Sequence, residues 1–159
     1  MSNAQYLASL VNSSGNINIP VSNAGINFNN SSAIGASTLT DYETGNWSIA
    51  DTSGAGLTFS SNPFAFYTKV GNLVFASFDI TYPSTSNSAL AQVSMPFVGT
   101  NYANGFIGYT TYLTSAVYLE SSSGTSNMQF LAGGSFNNLT NVNLSGKRII
   151  ATLIYKATF

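Results

Sequence analysis

The sequence predicts an all-β protein with an antiparallel β-sandwich or jelly-roll head, and three observations support this. Apolar and polar residues alternate in short segments, which places every second side chain on one face of a strand. The polar residues are mainly Ser, Thr and Asn, which favour turns and weaken helices. Turn-forming tracts recur at about ten-residue spacing, as between the short strands of a sandwich.

The first 37 residues contain the one predicted helix and two short strands. Ser2 and Gln5 fit a capping box, so a helix is expected over residues 2–12. Its apolar face consists of Tyr6, Leu7, Leu10 and Val11. Two bursts of alternation follow within residues 16–36, and their apolar positions are Ile17, Ile19, Val21, Ile26 and Phe28. A linker rich in Ser, Ala and Gly is expected at 31–38.

These apolar stripes need a partner, because so short a helix and such Asn-rich strands are marginal alone. Burying each large apolar side chain contributes about 1.5–3 kcal/mol, and threefold self-association would cover all of them. We therefore predict an anchor and oligomerisation segment at 1–37, intertwined in a homotrimer, and a β head at 38–159. The alternative is that the helix caps its own domain.

The head is expected to contain strands near 46–50, 56–60, 64–70, 73–82, 90–97, 105–113, 115–120, 127–131 and 148–158. Gly71-Asn72 predicts a hairpin with a type II′ turn. Inward-facing positions on its two strands are predicted to be Phe64, Phe66, Val70, Val74, Ala76, Phe78 and Ile80. Lys69 and Asp79 are then expected to point outward or to a rim.

Composition excludes several classes of function. Charged residues make up 6% of the chain and the net charge is −1, so four Lys and Arg side chains cannot build a phosphate-binding face. The chain has no Cys and no His, which leaves no structural zinc site, and we predict no cofactor. No apolar run reaches the length that membrane insertion requires, and residues 1–5 lack the features of a secretory signal.

Two motifs occur in order along the chain, TDYETGNW at 40–47 and YTKVGNLV at 67–74. As a pair they resemble the DYE-x-G-x-W and Y-x-K-x-G-N-L-V signature of head domains in bacteriophage fibre-type proteins. The matched positions are Asp41, Tyr42, Glu43, Gly45, Trp47, Tyr67, Lys69, Gly71, Asn72, Leu73 and the Pro96-Phe97 pair. The resemblance covers about residues 38–159 and departs at Ser48-Ile49, where the family often has Thr-Pro. That departure concerns a local turn.

The resemblance implies a non-enzymatic protein of the virion surface, assembled in the host cytoplasm as a homotrimer with an all-β head. Its implied partners are further copies of the chain, tail or capsid proteins, and a host-surface glycan or protein. The resemblance also implies that the motif residues stabilise the fold and have no catalytic role. Candidates for receptor contact come from a Tyr-rich band, because amphipathic rings can stack on glycans, and they are Tyr102, Tyr109, Tyr112 and Tyr118.

Other interpretations stay open at the level of sequence. A capsid decoration protein, bound to the shell through its N-terminal segment, is the alternative within the virion. A polysaccharide depolymerase would need two suitably spaced carboxyl groups, drawn from Asp41, Glu43, Asp51, Asp79 and Glu120. A cellular lectin rests on the Tyr band alone. Trp47 is interpreted as a core or interface residue rather than a sugar platform. Asp41 and Glu43 are interpreted as a solvated or N–H-capping pair rather than a cation site.

Overall fold

The computed structural model of the protein describes residues 26–27, 38–39, 41–133 and 137–158. The chain divides into two compact units, Met1–Tyr42 and Glu43–Phe159. The predicted helix at 2–12 lies outside the described residues. So do most of the predicted anchor residues, namely Tyr6, Leu7, Leu10, Val11, Ile17, Ile19, Val21 and Phe28.

The described part of the first unit contains one short antiparallel ladder. Strand β1 (Ile26–Asn27) pairs with β2 (Thr38–Leu39), so that Ile26 lies opposite Leu39. Strand β1 falls within the second burst of alternation, as predicted. Strand β2 begins at Thr38, the last residue of the predicted linker at 31–38.

The remaining strands form one nine-stranded sheet. They are β3 (Tyr42–Asn46), β4 (Ser60–Val70), β5 (Leu73–Thr81), β6 (Gln92–Ser94), β7 (Ala103–Thr110), β8 (Val117–Ser121), β9 (Asn127–Ala132), β10 (Asn137–Asn138) and β11 (Arg148–Lys156). Neighbouring strands follow the order β3-β4-β5-β11-β7-β8-β9-β10, and β6 also pairs with β9. The pairings with a described register are all antiparallel.

The segment that follows β3 links the two ends of this sheet. The backbone N–H of Trp47 donates to Ala65 O in β4, at 3.2 Å. A few residues later the same segment pairs with β6, where Ser94 N–H donates to Ala50 O at 2.9 Å and Thr52 N–H donates to Gln92 O at 3.1 Å. Because one segment bonds to strands at opposite ends, the sheet is curled and encloses its core.

The core lies on the concave face of the sheet and follows the period-2 pattern of its central strands. Along β5 the buried side chains are Val74, Ala76, Phe78 and Ile80, as predicted. Along β11 they are Ile149, Ala151, Leu153 and Tyr155. Each β5 residue of this set lies directly opposite one of the β11 set, which places both on the same face. The all-β antiparallel class is therefore confirmed.

The predicted hairpin is also confirmed. Val70 and Leu73 are paired across a two-residue connection, and Gly71 has a φ of +59°. A positive φ at the first central position is what the primed hairpin turns require, and glycine adopts it without a steric cost. This turn fixes the register of the β4–β5 ladder from Val70 back to Phe64, beyond which the register shifts.

The predicted orientation of β4 is wrong. Ala65 and Lys69 are 3% and 7% exposed, whereas Phe64 and Val70 are 56% and 43% exposed. The register explains the reversal, because Lys69 lies opposite Val74 and Ala65 lies opposite Phe78. Directly opposed residues share a face, so the inward positions of β5 force these two positions inward.

Two strand boundaries are also corrected. The strand expected at 46–50 is β3, which ends at Asn46, and the strand expected at 56–60 is a loop except for Ser60. The Asp51 carboxylate accepts hydrogen bonds from the N–H groups of Ser53 and Leu57, at 2.9 and 3.0 Å. Such bonds from a side chain to nearby backbone compete with strand pairing and stabilise the loop instead.

Candidate binding surface

The matched motif residues around Tyr67 form one packed cluster inside the curled sheet. A Cβ atom on Gly45 would lie 2.9 Å from Tyr67 Oη, so the glycine makes room for this ring. The Tyr67 ring meets the Phe97 ring edge-on, with centroids 5.0 Å apart. The Lys69 ammonium lies 5.3 Å from the centroid of Phe97. Residues from both motifs and from the Pro96-Phe97 pair therefore meet in space.

Phe97 is held in this cluster by the hydroxyl of Tyr155. The Phe97 N–H donates to Tyr155 Oη, and the hydroxyl donates to Phe97 O, each at 3.2 Å. Burial raises the pKa of Tyr155 to about 12, although the hydrogen bond with Phe97 opposes the rise. The phenol therefore stays protonated across the physiological range, and its role in this cluster is structural.

The other motif residues occupy strand and turn positions. Trp47 is partly buried against the core, in agreement with its structural interpretation, and its indole N–H has no partner among the described residues. Tyr42 begins β3 and is 64% exposed, Glu43 is half-buried in the same strand, and Asp41 precedes it. Asn72 completes the hairpin turn.

The carboxyl groups of the second unit have separate surroundings. Burial of Asp51 disfavours its ionised form, but hydrogen bonds from Ser53, Leu57 and Gly56 outweigh this and lower its pKa. Asp79 forms a bidentate pair with Arg148, at 3.0 and 2.6 Å, and this pairing lowers its pKa. Among the described residues no group of three or more His, Cys, Asp or Glu side chains is placed to hold a metal ion.

The four tyrosines predicted to contact a receptor are not equivalent. Tyr102, Tyr109 and Tyr118 are 69%, 49% and 42% exposed, whereas Tyr112 packs partly against the core. The Arg148 guanidinium lies 5.9 Å from the centroid of the Tyr109 ring. Tyr118 lies directly opposite Phe106 on the neighbouring strand, and Phe106 is itself 67% exposed.

A β-bulge brings Phe106 and Tyr109 to the same side of β7. Tyr109 lies opposite Ile150 of β11, but the next partner of β11, Ala151, lies opposite Ile107. Gly108 is therefore the extra residue of β7. A bulge shifts the alternation by one position, so two residues three apart in sequence share the outer face.

The convex face of β4, β5 and β11 carries an apolar surface, which includes Val70, a residue that the alternation pattern predicts to face inward. We call Val70, Leu73, Phe75 and Ile154 the outer apolar patch. Val70 lies opposite Leu73, and Phe75 lies opposite Ile154, while Leu73 and Phe75 are successive outer positions of β5. Each of the four side chains is at least 41% exposed. Phe64, also exposed, lies further along β4 with its ring 5.4 Å from that of Phe66.

A comparison of the chain with protein-family profiles, with curated protein sequences and with solved structures finds no match. Among the described residues, no helix has the length and apolar character that crossing a lipid bilayer requires.

Proposed function

We propose that the chain is a non-enzymatic structural protein of a bacteriophage virion, exposed on the particle as a trimeric fibre or tail-tip head that contacts the host. The outer apolar patch is the observation that carries this proposal. Exposed apolar side chains scattered singly are common on soluble proteins, but a contiguous set on one sheet face indicates an interaction surface. A head of this kind functions as a subunit of an assembly.

The patch is suited to further copies of the same chain. Its four side chains are uncharged, and the whole chain has a net charge of only −1, so identical subunits would repel each other weakly. A symmetric oligomer covers the same patch on every subunit. In this proposal the curled sheet takes the place of the expected jelly-roll head. The N-terminal segment then provides a second surface for contact between subunits.

The packing of the motif residues supports a structural role for them. Gly45, Tyr67, Lys69 and Phe97 contact each other inside the sheet, where they stabilise the link between β3 and β4. Glycoside hydrolysis needs two carboxyl groups about 5–9.5 Å apart. Asp51 and Asp79 are each engaged with their own loop or strand partners.

Capsid decoration is the second candidate, favoured by the same patch. A subunit bound to a shell would bury these side chains against capsid protein instead of against its own copies. In that case the head would project from the shell in many copies. The two candidates share the virion location and differ in where on the particle the chain is found.

Immunogold electron microscopy of intact, purified particles tests the proposal, with antibody raised against this chain. We expect label confined to fibre or tail tips. Label spread over the head shell would favour capsid decoration. Absence of the chain from purified particles, checked by immunoblot of the same preparation, would overturn both.

A further inference from the structure

A row of polar side chains crosses the outer face of four neighbouring strands. Asn104 of β7 lies opposite Glu120 of β8, Glu120 lies opposite Gln129 of β9, and Gln129 lies opposite Gln92 of β6. Directly opposed residues of antiparallel strands share a face. Three strand spacings of about 4.8 Å make this row on the order of 14 Å long.

The row lines two adjoining depressions that share Glu120. The larger has a volume of about 520 Å³, and its lining includes Asn104, Tyr118, Glu120 and Leu131. The smaller, of about 90 Å³, is lined by polar residues including Gln92 and Gln129. The larger volume lies within the range of about 300–1,000 Å³ that is usual for small-molecule sites. We call the two depressions together the amide cleft.

The polar groups of the row have unused hydrogen-bonding capacity. Among the described residues, the side chains of Asn104, Glu120, Gln129 and Gln92 show no hydrogen bond to another protein group. Each amide offers two N–H donors and one acceptor, and an ionised Glu120 accepts only. A ligand that both donates and accepts at closely spaced positions would match this row, and vicinal sugar hydroxyls do so.

The aromatic wall and the charge of the cleft narrow the ligand class. The exposed Tyr118 ring lies two residues from Glu120, at the preceding outward position of β8, on the lining of the larger depression. A rigid amphipathic ring of this kind packs well against the C–H face of a pyranose. Glu120 is the one charged residue in the described lining of both depressions, so an anionic sugar would be repelled.

We propose that the amide cleft binds a neutral oligosaccharide, with the polar row holding its hydroxyl groups and Tyr118 stacking on a ring. This deepens the proposed function and rests on it, because it names the ligand class for host contact. The cleft binds without cleaving, since its described lining supplies one carboxyl group where hydrolysis needs two.

The test measures binding of the full chain to envelope polysaccharide extracted from cells on which the particle grows. Immobilised maltohexaose, cellohexaose and chitohexaose serve as neutral probes, and hexagalacturonate serves as the acidic one. We expect saturable binding to the polysaccharide or to a neutral probe, and none to hexagalacturonate. Periodate treatment, which cleaves vicinal diols, is expected to abolish polysaccharide binding.

Variants locate the binding in the cleft. Tyr118→Ala and Gln129→Ala are each expected to raise the Kd by about tenfold, the effect of losing one good contact. Phe64→Ala is the matched control, because Phe64 is an exposed aromatic residue of β4 that lies outside the described lining of the cleft. Its Kd is expected to stay unchanged.

Three outcomes would overturn the inference: no saturable binding to any probe, equal binding of hexagalacturonate and the neutral probes, or full binding by both cleft variants. Particle labelling decides the proposed function separately. Tip label together with any of these three outcomes would remove the cleft and leave the virion role standing. If the chain bound the oligosaccharides as expected but was absent from purified particles, the cleft would be supported and the virion role would be removed.

Discussion

At the scale of single residues, Asp51 shows how one side chain shapes a loop. Its carboxylate accepts hydrogen bonds from Ser53 and Leu57 and so closes the turn after the segment that links the two ends of the sheet. Asn141, which is fully buried, donates to Ser53 Oγ at 2.8 Å and to Asn87 Oδ1 at 3.1 Å. The loop is therefore tied to a second, distant loop.

This arrangement predicts a pH dependence of stability. The folded-state pKa of Asp51 is lowered, so the unfolded chain binds a proton more readily than the folded chain does. The contribution of Asp51 is complete above the unfolded pKa of about 3.9 and is lost as pH falls through the lower folded value. We expect Asp51→Asn to reduce the free energy of unfolding by about 1 kcal/mol at neutral pH. We also expect the free energy of unfolding of this variant to fall less steeply as the solution is acidified.

Urea unfolding at a series of pH values from 6 down to 2.5 measures this effect. Asp79→Asn is the comparison variant, because its partner Arg148 is half exposed and such surface pairs contribute little. If the free energy of unfolding fell as steeply with decreasing pH in Asp51→Asn as in the wild type, the proposed contribution of Asp51 would be contradicted.

At the scale of elements, β7 shows why two glycines of one strand are not equivalent. A Cβ atom on Gly105 would lie 2.6 Å from the Thr152 carbonyl oxygen of β11 and 3.1 Å from a methyl carbon of Leu119. A Cβ atom on Gly108, at the bulge, would meet its nearest described neighbour, Ile150 O, at 3.7 Å. Backbone cannot move aside as a flexible side chain can, so the close approach of β7 to β11 depends on Gly105.

We therefore expect Gly105→Ala to destabilise the fold by about 1–3 kcal/mol or more, as overpacking does. Gly108→Ala, the matched control in the same strand, is expected to change stability by no more than about 0.5 kcal/mol. Chemical denaturation midpoints of the two variants measure the difference. Equal midpoints would show that β7 and β11 can separate enough to accept the extra carbon.

At the scale of the whole molecule, a folded head presents an apolar face on β4, β5 and β11 in addition to its enclosed core. Covering these side chains in an assembly contributes through the same burial that stabilises the core. Under the proposed function, the head itself takes part in holding the assembly. The N-terminal stripes predicted from sequence are then a second and separable source of association.

Under the proposed function, we expect Phe75→Glu combined with Ile154→Glu to convert the proposed trimer of 16.7-kDa chains into smaller species without unfolding the head. Leu113→Glu is the control, since Leu113 is 90% exposed and lies outside the patch. Sedimentation velocity gives the mass, and circular dichroism checks the fold. A stable trimer in the patch variant, with dissociation in Ile17→Asp or Phe28→Asp, would assign the assembly to the N-terminal segment instead.

The all-β class, the Gly71-Asn72 hairpin and the buried face of β5 could be predicted from the amino-acid sequence. These depend on local information, namely alternation, turn chemistry and the φ that glycine permits. Motif positions such as Gly45, Tyr67 and Lys69 were identified from sequence, but not the reason that they belong together. That reason is the contact of Tyr67 and Lys69 with Phe97 across the fold.

Long-range strand pairing sets which side of β4 is buried, where the sheet ends meet and which side chains form the amide cleft, and the sequence did not reveal that pairing. Both faces of β4 are rich in apolar residues, so alternation alone did not distinguish them, and pairing with β5 did. The cleft joins residues of four consecutive strands, from Gln92 to Gln129, and its last step depends on the pairing of β9 back to β6. Their alignment depends on ladder register, which results from pairing between strands and not from local sequence preference.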